Sequence, residues 1–333
     1  NCCCNQGSHQ ALEGDGYLEK KNSSSGQIPC RISADFMVAA PYFSVIVTKA
    51  LCGFRRKKSS VIWDEMISIP VILVMLGVAA LLWGFGIEPK LLKTSVYRIR
   101  QPELAGLKIV FASDFHAVPG HERRLRKIVG RIAAQQADMI LLGGDFVKGR
   151  RFEKSMPIEK IAPILAELHA PLGVYAVLGN HDWRRDGVRI ADVLQKHGIE
   201  VLENENRRID HAGGSLWLAG LADCNMRRPD VRKALENAGN PVLVITHSPD
   251  IFPQVPERAA LTLAGHTHGG QVALPWLGAL LVPSAFGKRY EGGLTVENGK
   301  RLLVSRGLGT SLLPVRFNLS LIHISEPTRL RCI

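Results

Sequence analysis

The sequence predicts an α/β domain with its chemistry at the carboxyl ends of its strands, preceded by one apolar span. Three observations carry this. Short apolar runs alternate with amphipathic stretches from Leu107 to Asn318, the pattern of strands linked by helices. A run of 21 residues, Ile67 to Ile87, holds no charge. Five short polar motifs each follow directly on an apolar run, where ligand-binding groups of α/β sheets collect.

Taken in chain order, residues 1–65 show no sustained periodicity and mix Cys-rich, Ser-rich and basic stretches. An organised pattern starts just after Met66. The segment therefore reads as upstream sequence translated ahead of a start at Met66, with an unstructured tail as the alternative. The run 67–87 would measure roughly 30 Å as a helix at about 1.5 Å per residue, the thickness of a bilayer core. Pro70 falls in its first turn and Trp83 near its far boundary, where each is tolerated or favoured in a membrane helix. A single transmembrane anchor is expected, over a buried core helix or an uncleaved secretion signal, because residues 88–106 read as a linker and not as a packing partner. Flanking charge does not set its direction. Arg55, Arg56, Lys57 and Lys58 precede the span and Lys90, Lys93, Arg98 and Arg100 follow it, whereas a start at Met66 would remove the first group and turn the following domain inward.

Within 107–318 the expected strands are Leu107–Ser113, Met139–Gly143, Val174–Leu178, Leu216–Ala219, Val242–Thr246, Leu261–Ala264 and Leu302–Val304. The expected helices are Glu122–Gln135, Pro157–His169, Val188–Lys196 and Pro229–Ala238. The final stretch, 319–333, reads differently. "LSLIHISEPTR" resembles the reading-frame translation of a sequencing adapter, so the natural chain is expected to depart near Asn318 with its last strand missing.

Composition narrows the chemistry. The chain has 333 residues, 46% hydrophobic and 22% charged, with a net charge of +12 that favours an anionic partner. The excess is spread out, without the basic, aromatic-interleaved stripe of single-strand binders, so no specific nucleic acid is expected. Of seven cysteines only Cys224 lies in 107–318, which excludes a disulfide framework or a Cys-rich zinc site there. Metal chemistry would have to use carboxylates and imidazoles.

The motifs supply those groups. They are Asp114-Phe115-His116, Gly144-Asp145, Gly179-Asn180-His181-Asp182, His247-Ser248-Pro249-Asp250 and Gly265-His266-Thr267-His268-Gly269-Gly270. In extended chain, residues i and i+2 point the same way, so Asp114 and His116 are expected to face one ion, and His266 and His268 to leave the backbone on one side. Each motif alone is weak, since a lone G-D is common in turns. Their joint occurrence in order, each after an apolar strand, is not.

In that order they resemble the calcineurin-like metallophosphoesterase superfamily across 107–318, and "SDFH", "GNHDW", "THSPD" and "GHTHGGQ" resemble its bacterial YaeI- and YkuE-like branch. The resemblance implies two packed β-sheets flanked by helices, an α/β/β/α sandwich. It implies a first metal held by Asp114, His116, Asp145 and His268, and a second by Asp145, Asn180, His247 and His266. It assigns His181 to the phosphate and the leaving oxygen. The implied activity is hydrolysis of a phosphodiester or pyrophosphate at two divalent ions (Mn²⁺, Fe²⁺ or Zn²⁺), which lower the pKa of a bridging water and clamp the attacking and leaving oxygens. A bacterial cell membrane location is implied, with the catalytic domain outside the cytoplasm.

Two points stay open on sequence. Asp182 either orients an imidazole or caps the following helix, with capping preferred. The apolar stretch Val272–Gly293 is either core strands and a turn or a lip facing the membrane, with Lys288 and Arg289 at phosphate level. In the second case the substrate would be lipid-linked. The competing functions are a nuclease or soluble-nucleotide phosphodiesterase on the same metals, and a non-catalytic metal-stabilised module. The oligomeric state is not indicated.

Overall fold

The computed structural model describes residues 61–99, 104, 106–150, 152–274, 276–311, 313–319 and 329–332. The expectations for 1–60, including Arg55 to Lys58, lie outside the described residues, as do those for most of 320–333.

Helix α1 (Val61–Leu81) begins before Ile67 and continues through a π-type turn (Leu82–Ile87) into a 3₁₀ turn (Glu88–Lys90). From Ile69 to Leu76 its apolar side chains stand in the open, with Leu73, Val74 and Met75 each more than half exposed. Such a surface on a 23-residue apolar stretch, Ser68–Lys90, is the opposite of a core helix. Glu88 is buried at its end, accepting from the Trp83 indole at 2.9 Å and from the backbone N–H groups of Asn318 (2.8 Å) and Leu319 (2.7 Å).

Two six-stranded sheets build the domain. The first runs in the order β1 (Ser95–Arg98), β14 (Arg329–Cys332), β2 (Ile109–Ala112), β3 (Met139–Leu142), β4 (Val174–Ala176), β5 (Glu200–Val201), parallel from β14 to β5. The second runs β12 (Gly293–Glu297), β13 (Lys300–Val304), β9 (Ala259–Ala264), β8 (Val242–Ile245), β7 (Gly214–Gly220), β6 (Glu205–His211), with β13, β9, β8 and β7 parallel. β1 falls inside the stretch read as a linker, and Arg329–Cys332 take a strand position inside the first sheet.

Alternation along the central strands makes the layers. Ile109 and Phe111 of β2 and Met139 and Leu141 of β3 point into one core with Leu243, Ile245, Leu261 and Leu263 of the second sheet. Val110, Ala112, Ile140 and Leu142 point the other way, onto α2 (Glu122–Ala133), α3 (Ile158–Leu165) and α4 (Asn180–Lys196). The outer face of the second sheet packs Val242 and Val244 against α5 (Val231–Ala234) and the 3₁₀ turn Pro249–Gln254. Helices therefore cover both outer faces of the paired sheets. α4 joins the expected helix 188–196 to an earlier turn across a break at Asp186, where φ is −173°.

The stretch 272–293 is divided: Ala279 and Tyr290 are buried, Tyr290 in a core cluster with Phe252, Leu302 and Val304, while most of the rest lies at the surface. It forms a two-residue hairpin, β10 (Ala273–Leu274) with β11 (Gly278–Ala279), whose tip carries fully exposed Trp276, followed by exposed Leu280 and Leu281.

Candidate metal centre

Five parallel strands end at one place. β2 leads into Asp114 and His116, β3 into Asp145, and β4 into Asn180 and His181 at the start of α4. β8 leads into His247, and β9 into His266 and His268. All eight side chains come together, and only His266 is more than marginally exposed.

The first two loops are zipped by backbone bonds. Asp114 N–H donates to Gly144 O and His116 N–H to Asp145 O, both at 2.9 Å, and Ala117 pairs with Val147 beyond them. The extended geometry expected for D-x-H and H-x-H is not what aligns these residues. Asp114, His116, Asp145, His266 and His268 have φ of 60°, 43°, 55°, 71° and 53°. Each non-glycine residue held in this left-handed region costs about 1–3 kcal/mol, so the surrounding packing has to enforce it. The strands have already ended at Ala112 and Ala264, and the kinks beyond them turn the side chains inward.

The donor atoms form two groups that share one carboxylate. Asp145 Oδ2 lies 3.5 Å from His116 Nε2 and 3.3 Å from His247 Nε2. On one side, His116 Nε2 is 3.1 Å from His268 Nε2, which is 3.5 Å from an Asp114 oxygen. On the other, His247 Nε2 is 3.2 Å from both His266 Nδ1 and Asn180 Oδ1. Asp114, His116 and His268 could hold a metal ion, as could Asp145, His247 and His266, and a third, overlapping set, His116, Asp145 and His181, is equally close.

The protonation states fit that use. Burial holds His116 and His268 down to about 3, and burial with the nearby charge of His247 holds His266 down to about 4. A neutral imidazole keeps one ring nitrogen with a free lone pair, the form in which it ligates a cation. The Nδ1 atoms of His116 and His268 are buried without a hydrogen-bond partner among the described residues. His247 differs. Its Nδ1 sits 2.7 Å from Gly143 O, to which it donates, leaving Nε2 for the site. Burial alone would lower it, but the Asp145 carboxylate outweighs burial and holds it well above 6.5. In return His247, ahead of His116, pulls Asp145 well below its ordinary value against the effect of burial.

Sequence reading missed the groups that hold these ligands. Asp182 does not meet the His181 ring. Its carboxylate accepts from Gly179 N–H (2.9 Å), which caps α4, and also from Asp145 N–H (2.7 Å) and Val147 N–H (3.2 Å). Burial and the Asp145 charge push it up to about 7. Ser113 Oγ donates to Asp114 Oδ2 at 2.7 Å, and His266 N–H donates to the same carboxylate. A Cβ on Gly265 would fall 1.9 Å from Ser113 Oγ, and one on Gly179 would fall 2.2 Å from Asp145 Oδ1, so both positions need glycine. Asn225 Nδ2 approaches His266 Nε2 at 3.5 Å from the loop after β7. That loop is a sixth strand end, the one signal that would have drawn attention to it.

A family model described as calcineurin-like phosphoesterase matches residues 107–277, a stretch that contains all eight site residues. The chain belongs to the calcineurin-like phosphoesterase family. Among its relatives, this phosphoesterase is 29% identical over 248 residues to the metallophosphoesterase YkuE of Bacillus subtilis, covering 70% of this chain and 86% of the relative. It is 34% identical over 225 residues to the phosphodiesterase YaeI of Escherichia coli, covering 64% and 79%. It is 28% identical over 295 residues to the UDP-2,3-diacylglucosamine pyrophosphatase LpxG of Chlamydia muridarum, covering 68% and 87%. The family and these relatives identify a metal-dependent phosphoric ester hydrolase of the YaeI- and YkuE-like branch.

Proposed function

We propose that this phosphoesterase hydrolyses a phosphodiester or pyrophosphate at two divalent ions, acting on a lipid-linked substrate from a single membrane anchor. The observation that carries the reading is Asp145 Oδ2 standing between two donor groups, 3.5 Å from one and 3.3 Å from the other. Asp114, His116, Asp145 and His268 would hold the first ion, and Asp145, Asn180, His247 and His266 the second. When bound, such a pair neutralises the phosphate and lowers the pKa of a water between the ions.

The chain's own groups do the rest. His181 N–H fixes Asp145 Oδ1 at 2.8 Å, which leaves Oδ2 to be shared. The His181 ring accepts the Gly149 N–H at Nδ1 (2.8 Å), so its neutral form carries the proton on Nε2. Burial lowers its pKa, which keeps the ring neutral at pH 7. That Nε2–H would hydrogen-bond a phosphate oxygen and the departing oxygen, stabilising the negative charge that develops there. The Asn180 amide adds a ligand without adding negative charge, so the site stays attractive to an anion.

Anchoring is supported by the exposed apolar stretch Ser68–Lys90 and by the exposed Trp276 tip, a residue type favoured at bilayer interfaces. The catalytic domain would then work at the membrane surface. LpxG, named for a diacylated substrate, supports a lipid-linked phosphate. Lys288 and Arg289 do not serve that phosphate. Lys288 donates to Leu277 O (2.8 Å), and Arg289 forms a two-point pair with Glu297 (2.7 Å each).

The test is metal-dependent hydrolysis of bis(p-nitrophenyl) phosphate by the wild type and by Asp145→Ala. The variant is expected to stay folded and lose turnover. Undiminished turnover in the variant would overturn the shared-carboxylate reading.

A further inference from the structure

A cavity of about 580 Å³ opens beside the metal centre, within the range of small-molecule sites. His116 lines one end, and Phe85 and Pro89, at the exit of the apolar span, line another part. Its walls include Leu92, Phe115, Leu125 and Ile128. Lys90, Arg123 and Lys127 also line it and are exposed. Arg124 and Lys148 line it too but are engaged, donating to Leu308 O (2.8 Å) and Ser311 O (2.9 Å).

We infer that this groove holds an acyl chain of the lipid substrate, with the phosphate at the His116 end. The inference rests on the phosphoesterase reading above and deepens it. Three features select this occupant. The apolar walls run up to a metal-site histidine, so a bound chain would be continuous with the reacting phosphate. The exposed cations match the anionic head group that such a chain carries. Phe85 and Pro89 put part of the lining where the apolar span ends, so a lipid leaving the bilayer would meet the groove before the metal centre. A soluble nucleotide would use the cations but not the apolar walls.

The test uses the full chain in lipid nanodiscs, loaded with Mn²⁺, and p-nitrophenyl alkyl phosphates bearing methyl, butyl and octyl chains. A fully buried methylene contributes roughly fourfold, so kcat/KM should rise at least about tenfold from methyl to octyl. Val118→Trp, a half-buried position lining the groove, should cancel that rise, read as the octyl-to-methyl ratio of kcat/KM within the variant. Leu92→Glu should do the same by a different route. Metal-free wild type should bind octyl phosphonate more tightly than methyl phosphonate, and both variants should lose the difference. Turnover independent of chain length, or an octyl advantage that survives both variants, overturns the groove alone. No turnover of any ester overturns the phosphoesterase reading itself, while the phosphonate comparison still tests the groove.

Discussion

The backbone N–H of His181 donates to Asp145 Oδ1 at 2.8 Å, so the residue proposed to meet the phosphate also fixes the carboxylate that lies between the two donor groups. The two functions separate by atom. The main chain of His181 positions Asp145, and its ring, with the proton held on Nε2, is left to meet the phosphate.

His181→Ala should therefore keep the metals and lose rate. The main-chain bond to Asp145 does not depend on the side chain. A hydrogen-bond donor aimed at charge that develops in the transition state contributes about 10²- to 10³-fold, and the loss should be largest for the poorest leaving groups. Comparing an alkyl leaving group with p-nitrophenolate checks this. Equal losses for both would remove His181 from the departing oxygen.

Gly179→Ala should displace Asp145 without replacing any ligand. The added Cβ would fall 2.2 Å from Asp145 Oδ1 and 2.7 Å from the His247 ring, both buried. Overpacking of this kind costs about 1–3 kcal/mol. Thermal melts of metal-free protein should show lower stability, and metal titration should show weaker binding. A variant with wild-type Tm and affinity would mean that the loop yields freely.

Metal loading should release protons in a way that identifies His247. In the metal-free protein His247 is held well above 6.5 by Asp145, whereas His116, His266 and His268 are already neutral at pH 7. Binding at neutral pH should expel about one proton, and affinity should rise with pH up to the His247 pKa. For stability the signs are opposite. A raised pKa contributes stability that is complete below 6.5 and fades as pH rises through the folded value. The three depressed imidazoles take stability away as pH falls below 6.5 toward 3–4. Calorimetry in buffers of different ionisation enthalpy counts the protons, and near-zero release at pH 7 would contradict the charged His247–Asp145 pair.

Legibility in the sequence followed burial. The strands anticipated from apolar runs, β2, β3, β4, β7, β8, β9 and β13, are all interior to their sheets. The edge strands of the two six-stranded sheets, β1, β5, β6 and β12, were not anticipated, nor were the short hairpin β10–β11 and the interior β14, which falls in the stretch that reads as adapter-like. An interior strand is covered on both faces and reads as unbroken apolar sequence, as in Val242–Ile245, where every residue is buried. β6 buries only Ile209 among seven residues and carries Arg207, Arg208 and Asp210, as edges that avoid aggregation do. The site was legible for a related reason, since each motif follows a buried strand. Its left-handed backbone and the grip of Asp182 on Asp145 were not, because both depend on loops that meet only after the sheets form.

The most direct test of two donor groups sharing one carboxylate is the number of bound divalent ions per folded chain, measured by mass spectrometry of metals. Wild type should hold about two ions, in keeping with a paired site. His268→Ala and His266→Ala should each hold about one, losing different ions, and Asp145→Ala should weaken both. Two ions retained in folded Asp145→Ala, or a single ion in wild type that both histidine variants abolish, would contradict the account.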